Sequence, residues 1–358
     1  MELKRFLKRF KSDVWALGST LFILLIALVA LFAYVLAPDN TQFANQMHLS
    51  IHSKPPGFSC QMLLIPRSSE NEETSFLSGR LNTNEEIPIS EIRWSASSLE
   101  FKRYGNATDY FETISFDQFE GLSTQQEIAS QYLYTKRFLL GTDKYGRDLL
   151  SRLLVGSRIS ISIGFVAVFI SLTIGVFLGA VAGYLGGWVD RLILWLINVV
   201  WSVPTLLMVI AITLALGRGY WQVFVAVGLT MWVDVARVVR GQVMIIKERQ
   251  FITAARVLGF SDLRILVKHI LPNIVSPLII ISAANFAASI LIESGLSFLG
   301  LGAQPPMASW GSIIKDHYNY IILGKPMLAL ITGICIMSLV MAFMLLGNKL
   351  RDKLDVKN

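Results

Sequence analysis

Few residues in this sequence have the side chains and spacing that bond-making chemistry needs. The four histidines, His48, His52, His269 and His317, are scattered, and none stands with Cys60 or Cys335 at a metal-ligand spacing. His48 and His52 lie four apart, but Pro55 and Pro56 follow closely, so a helix presenting both rings to one metal ion is not expected. A phosphate loop is missing, because Gly324-Lys325 is followed by Pro326; neither a G-x-S-x-G elbow nor an H-E-x-x-H helix occurs. The sequence therefore predicts no metal, no cofactor and no catalytic residues, and leaves any catalysis to partners. One ionisable group does stand out: Glu293, at the end of a long apolar stretch. A carboxylate at the centre of a membrane helix costs about 2.5–3.5 kcal/mol, and less near an interface, so its presence asks for a reason.

The elements that would position such residues are hydrophobic. Of 358 residues, 53% are hydrophobic and 16% charged, against about 25% charged in ordinary soluble domains. Charge-poor runs at 15–37, 159–185, 192–216, 220–233, 274–292 and 327–347 mostly approach or exceed the roughly 20 apolar residues that cross a bilayer. A soluble enzyme is excluded, and an all-α integral membrane chain of six spans is expected. A disulfide scaffold is excluded too, since Cys60 and Cys335 are alone and the second lies in an apolar run. The net charge of +7 points to membrane orientation before nucleic acid, so lipid is the expected surroundings.

Lys4, Arg5, Lys8, Arg9 and Lys11 precede the first run and resemble a signal-peptide start. The run itself is too long for a signal core of 7–15 residues, and Leu36-Ala37-Pro38-Asp39 is a poor cleavage site, so a retained helix with a cytoplasmic amino end is expected. Alternation then puts 38–157 outside and brings Arg237, Arg240, Lys247, Arg249, Arg256, Arg264 and Lys268 inside, with Lys349, Arg351, Lys353 and Lys357 on the same side. The resulting division is a cytoplasmic amino end (1–13), helix 1 (14–37), an extracytoplasmic insertion (38–138), a core with helices 2–6 (139–348), and a cytoplasmic tail (349–358). A runner-up topology treats helix 4 as re-entrant because Asp234 shortens it, but it would move the carboxyl tail outside.

Within the spans, Gly175, Gly179 and Gly183 share one face, and Ala283, Ala284, Ala287 and Ala288 form a second small-residue face, both suited to close helix packing. Pro204 predicts a kink in helix 3. The inside loop at 247–272 reads as two short amphipathic helices. Phe251, Ala254, Ala255 and Leu258 form one stripe, Gly259 interrupts, Ser261 caps, and Leu263, Leu266, Val267 and Ile270 form the second stripe before Pro272. Such a pair could fill a groove on a partner or lie on lipid headgroups.

Thr253-Ala254-Ala255, then Gly259, then Leu271-Pro272 resembles the EAA loop of ABC-transporter permeases: E-A-A, three residues, G, nine residues, I, any residue, L-P. Thr253 replaces the acid and His269 the isoleucine. Residues 141–152, Gly-Thr-Asp-Lys-Tyr-Gly-Arg-Asp-Leu-Leu-Ser-Arg, resemble the G-T-D-x-x-G-R-D-x-x-S-R segment of one permease subunit of dipeptide and oligopeptide importers. Residues 293–302, Gln304-Pro305-Pro306, Ser309-Trp310-Gly311 and 346–352 are similar to the same subunit. The resemblance covers 139–358 closely and 1–37 loosely. It implies the six-helix fold of type I importer permeases (MetI-like), with Phe251, Thr253, Ala254, Ala255, Gly259, Leu271 and Pro272 as the coupling contact. The partners implied are a second permease subunit in a heterodimer, two ATP-binding subunits and an extracytoplasmic solute-binding protein. Glu293 then has three candidate roles: a contact with the 295–302 loop, a basic partner, or a pathway charge meeting a peptide amino terminus.

The stretch from Asp39 to Lys136 is not covered. Ile92, Trp94 and Ala96 alternate, as do Leu99 and Phe101, and Pro55-Pro56-Gly57 and Gly105-Asn106 punctuate it. A small strand-containing module is expected, with 70–84 its most mobile part, either touching a solute-binding protein or packed on the permease as a lid. The function expected is that of an importer permease for peptides or similar small solutes. Rivals are a nickel or oligosaccharide importer and a mechanotransmitter that relays ATPase motion without transport. A membrane-embedded hydrolase lacks a nucleophile–base pair.

Overall fold

The structure, a computed structural model, describes residues 13–66, 74–75, 79–80, 84–106, 109–119, 124–217 and 219–354. The amino-terminal basic cluster, most of the 70–84 stretch, Arg218 and Lys357 lie outside the described residues. Two compact units divide the chain: Leu28–Arg158 with Pro305–Gly333, and Met1–Ala27 with Ile159–Gln304 and Ile334–Asn358.

Helix α1 (Val14–Leu31) continues past Phe32 as one turn, Ala33–Leu36. In the first unit, strands β1 (Phe58–Ile65), β4 (Glu85–Trp94), β5 (Ser98–Arg103), β6 (Glu112–Ser115) and β7 (Leu133–Phe138) make an antiparallel sheet in the order β6-β5-β4-β1-β7; β2 (Thr74–Ser75) and β3 (Gly79–Arg80) pair separately. The expected alternation sets the register, with Ile92 opposite Phe101 and Trp94 opposite Leu99, and β4 ends before Ala96. Successive β1 side chains point to opposite faces. Leu63 joins Ile89, Phe101 and Ile128 of helix α2 (Gln125–Tyr132) on one face, while Cys60 and Met62 pack with Ile51 and Phe138 on the other. Both faces are thus covered. Cys60 and Cys335 are free.

Among the described residues five helices are long and apolar enough to cross a membrane, or six if one bent pair is a single span. Helix α3 (Leu149–Leu185) starts ten residues before its apolar run; its 37 residues span about 55 Å, well beyond a 30 Å hydrocarbon core. The kink expected at Pro204 is a full break. Helices α4 (Gly187–Trp201) and α5 (Thr205–Leu216) meet at 89°, because Pro204 offers no N–H and biases Val203 away from helix. Asp234 does not end the next span: α6 (Tyr220–Lys247) runs straight through it.

The inside loop forms α7 (Gln250–Val257) and α8 (Asp262–Ile265), followed by a π turn (Leu266–Ile270) and a 3-10 turn (Leu271–Ile274) into α9 (Val275–Phe298). Helix α10 (Trp310–His317) belongs to the first unit, and α11 (Met327–Leu354) completes the chain. The glycine face of α3 is its seam with α6. A Cβ at Gly175 would fall 2.5 Å from Val235 Cβ, one at Gly179 2.5 Å from Ala236 O, and one at Gly183 2.8 Å from Arg240 O. Only backbone-to-backbone approach fits there. Arg240 also holds Asp190 of α4 with two hydrogen bonds, 2.5 and 2.7 Å. On the second small-residue face, Ala283 and Ala287 are buried and Ala284 is exposed.

Candidate functional site

The α7–α8 element is built around one glycine. Gly259 has φ +80°, its N–H donates to Arg256 O at 2.9 Å, and the Phe260 N–H donates to Ala255 O at 3.1 Å. This is a Schellman ending, which satisfies the last carbonyls of α7 and turns the chain. A Cβ on Gly259 would meet nothing within 4 Å among the described residues. Phe260 then stacks on His269, ring centroids 5.8 Å apart, and Arg264 covers it at 4.3 Å. His269, one of the two positions that depart from the EAA pattern, is therefore a packing surface for the turn.

The apolar stripes face differently from the expectation. Ile252, Ala255, Ile265 and Ile270 are buried in one core with Val239, Val243 and Tyr184, whereas Phe251, Leu258, Leu263 and Val267 are 47%, 73%, 72% and 50% exposed. Ile252, next to Phe251, takes the inward position because the ends of α3, α6 and α9 offer a ready apolar surface on that side. Of the predicted contact residues, Phe251, Thr253, Ala254, Gly259 and Pro272 are exposed, Leu271 is half-buried and Ala255 is buried. Ser261 occupies the N-cap position but makes no side-chain cap bond; Asp262 beside it accepts instead from the Tyr184 hydroxyl at 2.5 Å.

Glu293 is 1% exposed, and its Oε1 accepts from Ser297 Oγ at 2.7 Å. Gly302 lies against Ser297 so closely that a Cβ would fall 2.7 Å from Ser297 Cα. Carboxylate, hydroxyl and glycine thus meet at the turn after α9.

The 141–152 segment also proves to be a brace. Asp143 Oδ1 accepts from the backbone N–H groups of Tyr145 and Arg147 at 2.8 and 2.9 Å, and Oδ2 accepts from Arg147 Nε at 2.6 Å. Thr142 Oγ1 donates to Ile51 O and accepts from Lys54 N; Ser151 Oγ accepts from Asp39 N; Arg152 Nη1 donates to Phe43 O and Pro306 O. These bonds consume the side chains that might otherwise have formed a reactive site. Among the described residues no group of three His, Cys, Asp or Glu could hold a metal ion.

Residues 175–355 match the family model described as binding-protein-dependent transport system inner membrane component, and residues 2–56 match the N-terminal TM domain of oligopeptide transport permease C. The chain belongs to the binding-protein-dependent transport system inner membrane components. It is 40% identical over 218 residues to the glutathione transport system permease protein GsiD of Pectobacterium atrosepticum, covering 61% of this chain and 72% of the relative. It is 38% identical to the oligopeptide transport system permease protein OppC of Haemophilus influenzae, covering 61% and 70%. With the dipeptide transport system permease protein DppC of Alkalihalophilus pseudofirmus it shares 39% identity over 61% and 71%. A solved structure of the MetNI methionine ABC transporter, facing inward, aligns at TM-score 0.47 with 18% identity over 56% of this chain and 95% of that one. The protein is therefore a membrane permease component of an ABC importer and not its ATPase, and the small antiparallel sheet is an addition to a mostly helical membrane fold.

Two residues of this permease were not foreseen from the sequence. Tyr184 accepts from Lys247 Nζ through its carbonyl at 2.6 Å while its hydroxyl holds Asp262. Phe260 joins Ala255 to His269. An aromatic closing an apolar run and another after a glycine were the only local signals.

Proposed function

We propose that this permease forms half of the translocation pathway for peptides or similar small solutes and receives its stroke from two ATP-binding subunits through α7–α8. The observation that carries this reading is the two-sided character of that element. Its inner residues are locked into the core of α3, α6 and α9, while Val257, Leu258 and Leu263, 84%, 73% and 72% exposed, form an apolar surface beside basic side chains. An apolar helix face of this kind fits a groove on a protein partner. Movement of the element would be passed by Ile252, Ala255, Ile265 and Ile270 to α6 and α9, tilting both and switching access to a central path.

A second permease chain, as a heterodimer, would complete that path, and an extracytoplasmic solute-binding protein would deliver the solute. The relatives' names, glutathione, oligopeptide and dipeptide systems, support the substrate class. Basic residues around 237–268 and at Lys349 and Arg351 support cytoplasmic termini. The domain division expected at 38 is better drawn at 57: residues 39–54 are bonded to the 141–152 brace, and the Gly57 N–H donates to Phe138 O at 2.9 Å, closing the sheet at its base. Glu293 acts in loop positioning.

Reconstitution with the ATPases, the second permease and the binding protein in vesicles tests the proposal. ATP-driven accumulation of a labelled dipeptide is expected; ATPase stimulation without flux would favour the mechanotransmitter instead.

A further inference from the structure

The helical unit holds a cavity of about 260 Å³ at the elbow between α4 and α5, where Trp201 and Met208 face Thr230 and Asp234 of α6 and Asn285 and Ile292 of α9. Neither the coupling element nor Glu293 reaches it. Thr230 Oγ1 donates to Val227 O, but two other polar groups of the lining are not used by the fold. Asn285 is 5% exposed, yet its Nδ2 has no hydrogen-bond partner among the described residues. Asp234 is exposed, and no described residue pairs or hydrogen-bonds with it; Arg237, one turn on, stacks on Trp201 at 3.9 Å instead.

Position makes this arrangement informative. Asp234 directly follows the charge-poor run at 220–233 and stands one turn before Arg237, within the span of α6. An exposed carboxylate within a span does not face lipid; it faces water or protein. A buried amide with an unmet donor likewise costs free energy until something accepts from it. The cavity is smaller than the roughly 300–1,000 Å³ of pockets that enclose a whole ligand, so it takes one end of a substrate.

Building on the importer reading above, we propose that this elbow cavity is a substrate subsite: Asp234 accepts from the ammonium group of a peptide, and Asn285 Nδ2 donates to the neighbouring carbonyl. Trp201, Met208 and Ile292 surround the adjoining apolar side chain. A single carboxylate with one amide keeps the hold on the charged end of the solute weak enough for release.

Two measurements on the intact complex in vesicles test this. In the first, uptake of a dipeptide with a free amino terminus is compared with that of its acetylated form and of an acetylated lysine peptide. Asp234→Asn should lower uptake of the free form at least about tenfold, as expected for loss of a charge-assisted bond, and leave the acetylated form unchanged. Loss of the lysine peptide as well would extend the site to side-chain ammonium groups. Asn285→Leu should lower uptake of all three. An unchanged ratio between free and acetylated forms in Asp234→Asn overturns the proposal. So does failure of that variant to retain the second permease subunit, which would make Asp234 an inter-subunit ion pair.

The second measurement does not need transport. With Cys60 and Cys335 replaced by serine, Ala284→Cys in the cavity wall should react at least tenfold faster with a cationic than with an anionic thiosulfonate reagent, and Asp234→Asn should erase that preference. No preference overturns the subsite. A wild-type complex that moves no peptide, yet shows the preference, overturns the importer reading and leaves the cation site standing.

Discussion

The Tyr184 hydroxyl, at the end of α3, donates to Asp262 Oδ1 at 2.5 Å, joining the first residue of α8 to a helix 78 positions earlier. Lys247 Nζ donates to the Tyr184 carbonyl at 2.6 Å, so one residue ties α3, α6 and α8 together. The α7–α8 element is therefore a rigid extension of the membrane helices. Tyr184→Phe keeps the ring and removes the strut. The bond to an exposed carboxylate is worth about 1.5 kcal/mol, the low end for a charged acceptor. The complex should insert and hydrolyse ATP at near the wild-type rate while uptake per ATP falls several-fold. An unchanged ratio removes the strut from the coupling path.

Gly259→Val addresses the turn. No atom of the described residues obstructs a Cβ there, so the cost is the left-handed backbone, about 1–2 kcal/mol for an L-residue, plus obstruction of whatever docks on the turn. Membrane insertion should persist, with ATP hydrolysis uncoupled from uptake. Gly259→Asn, which tolerates that backbone, should keep most of the uptake. Normal uptake by the valine variant would take this turn out of the mechanism.

Glu293→Gln separates the roles open to that carboxylate. Glutamine retains an acceptor for Ser297 Oγ and so preserves the turn against Gly302. Uptake should stay near wild type and thermal stability should barely move. A folded variant that loses free-amino peptides more than blocked ones would assign Glu293 to the pathway.

The sheet module carries its own pH dependence. Burial acts to raise the Glu86 carboxyl, but the His48 ring, its Nε2 3.5 Å away, and the charge and hydrogen bond of Lys136, 2.7 Å away, outweigh it and hold the group at about 2. The folded value lies below the ordinary 4.5, so the stabilisation is complete above about pH 4.5 and is lost as pH falls toward 2. It amounts to roughly 3 kcal/mol. Protection of the β1 and β4 amides, referred to the intrinsic exchange rate at each pH, should fall over that window, and Glu86→Gln should flatten the change. The same acid response in both proteins would show that the pair contributes nothing.

Much of the membrane frame was legible in the sequence. Gly175, Gly179 and Gly183 announced a close-packing face on α3, because only a residue without Cβ allows that approach, though not that α6 would fill it. The strand alternation around Trp94 and Phe101 was equally visible, since a strand must show alternate residues to each face. The buried face of α7 was not legible. Phe251, Ile252, Val257 and Leu258 make the helix apolar on several sides, and periodicity cannot distinguish a face turned to the chain's own core from one turned to a partner. Nor could it show that Pro204 breaks its helix outright, or that Tyr184 reaches Asp262, because both outcomes depend on neighbours far away in the chain.

The most direct test of the coupling claim places a photo-activated crosslinking residue at Leu258, 73% exposed at the turn, in the assembled complex, with a control at Leu139, 53% exposed on the sheet-bearing unit. Illumination should join the chain at Leu258 to a P-loop ATPase subunit, with a yield that changes when ATP is bound, and should give no such product at Leu139. Crosslinks from Leu258 to lipid alone, with active ATPase present in the complex, would contradict the account.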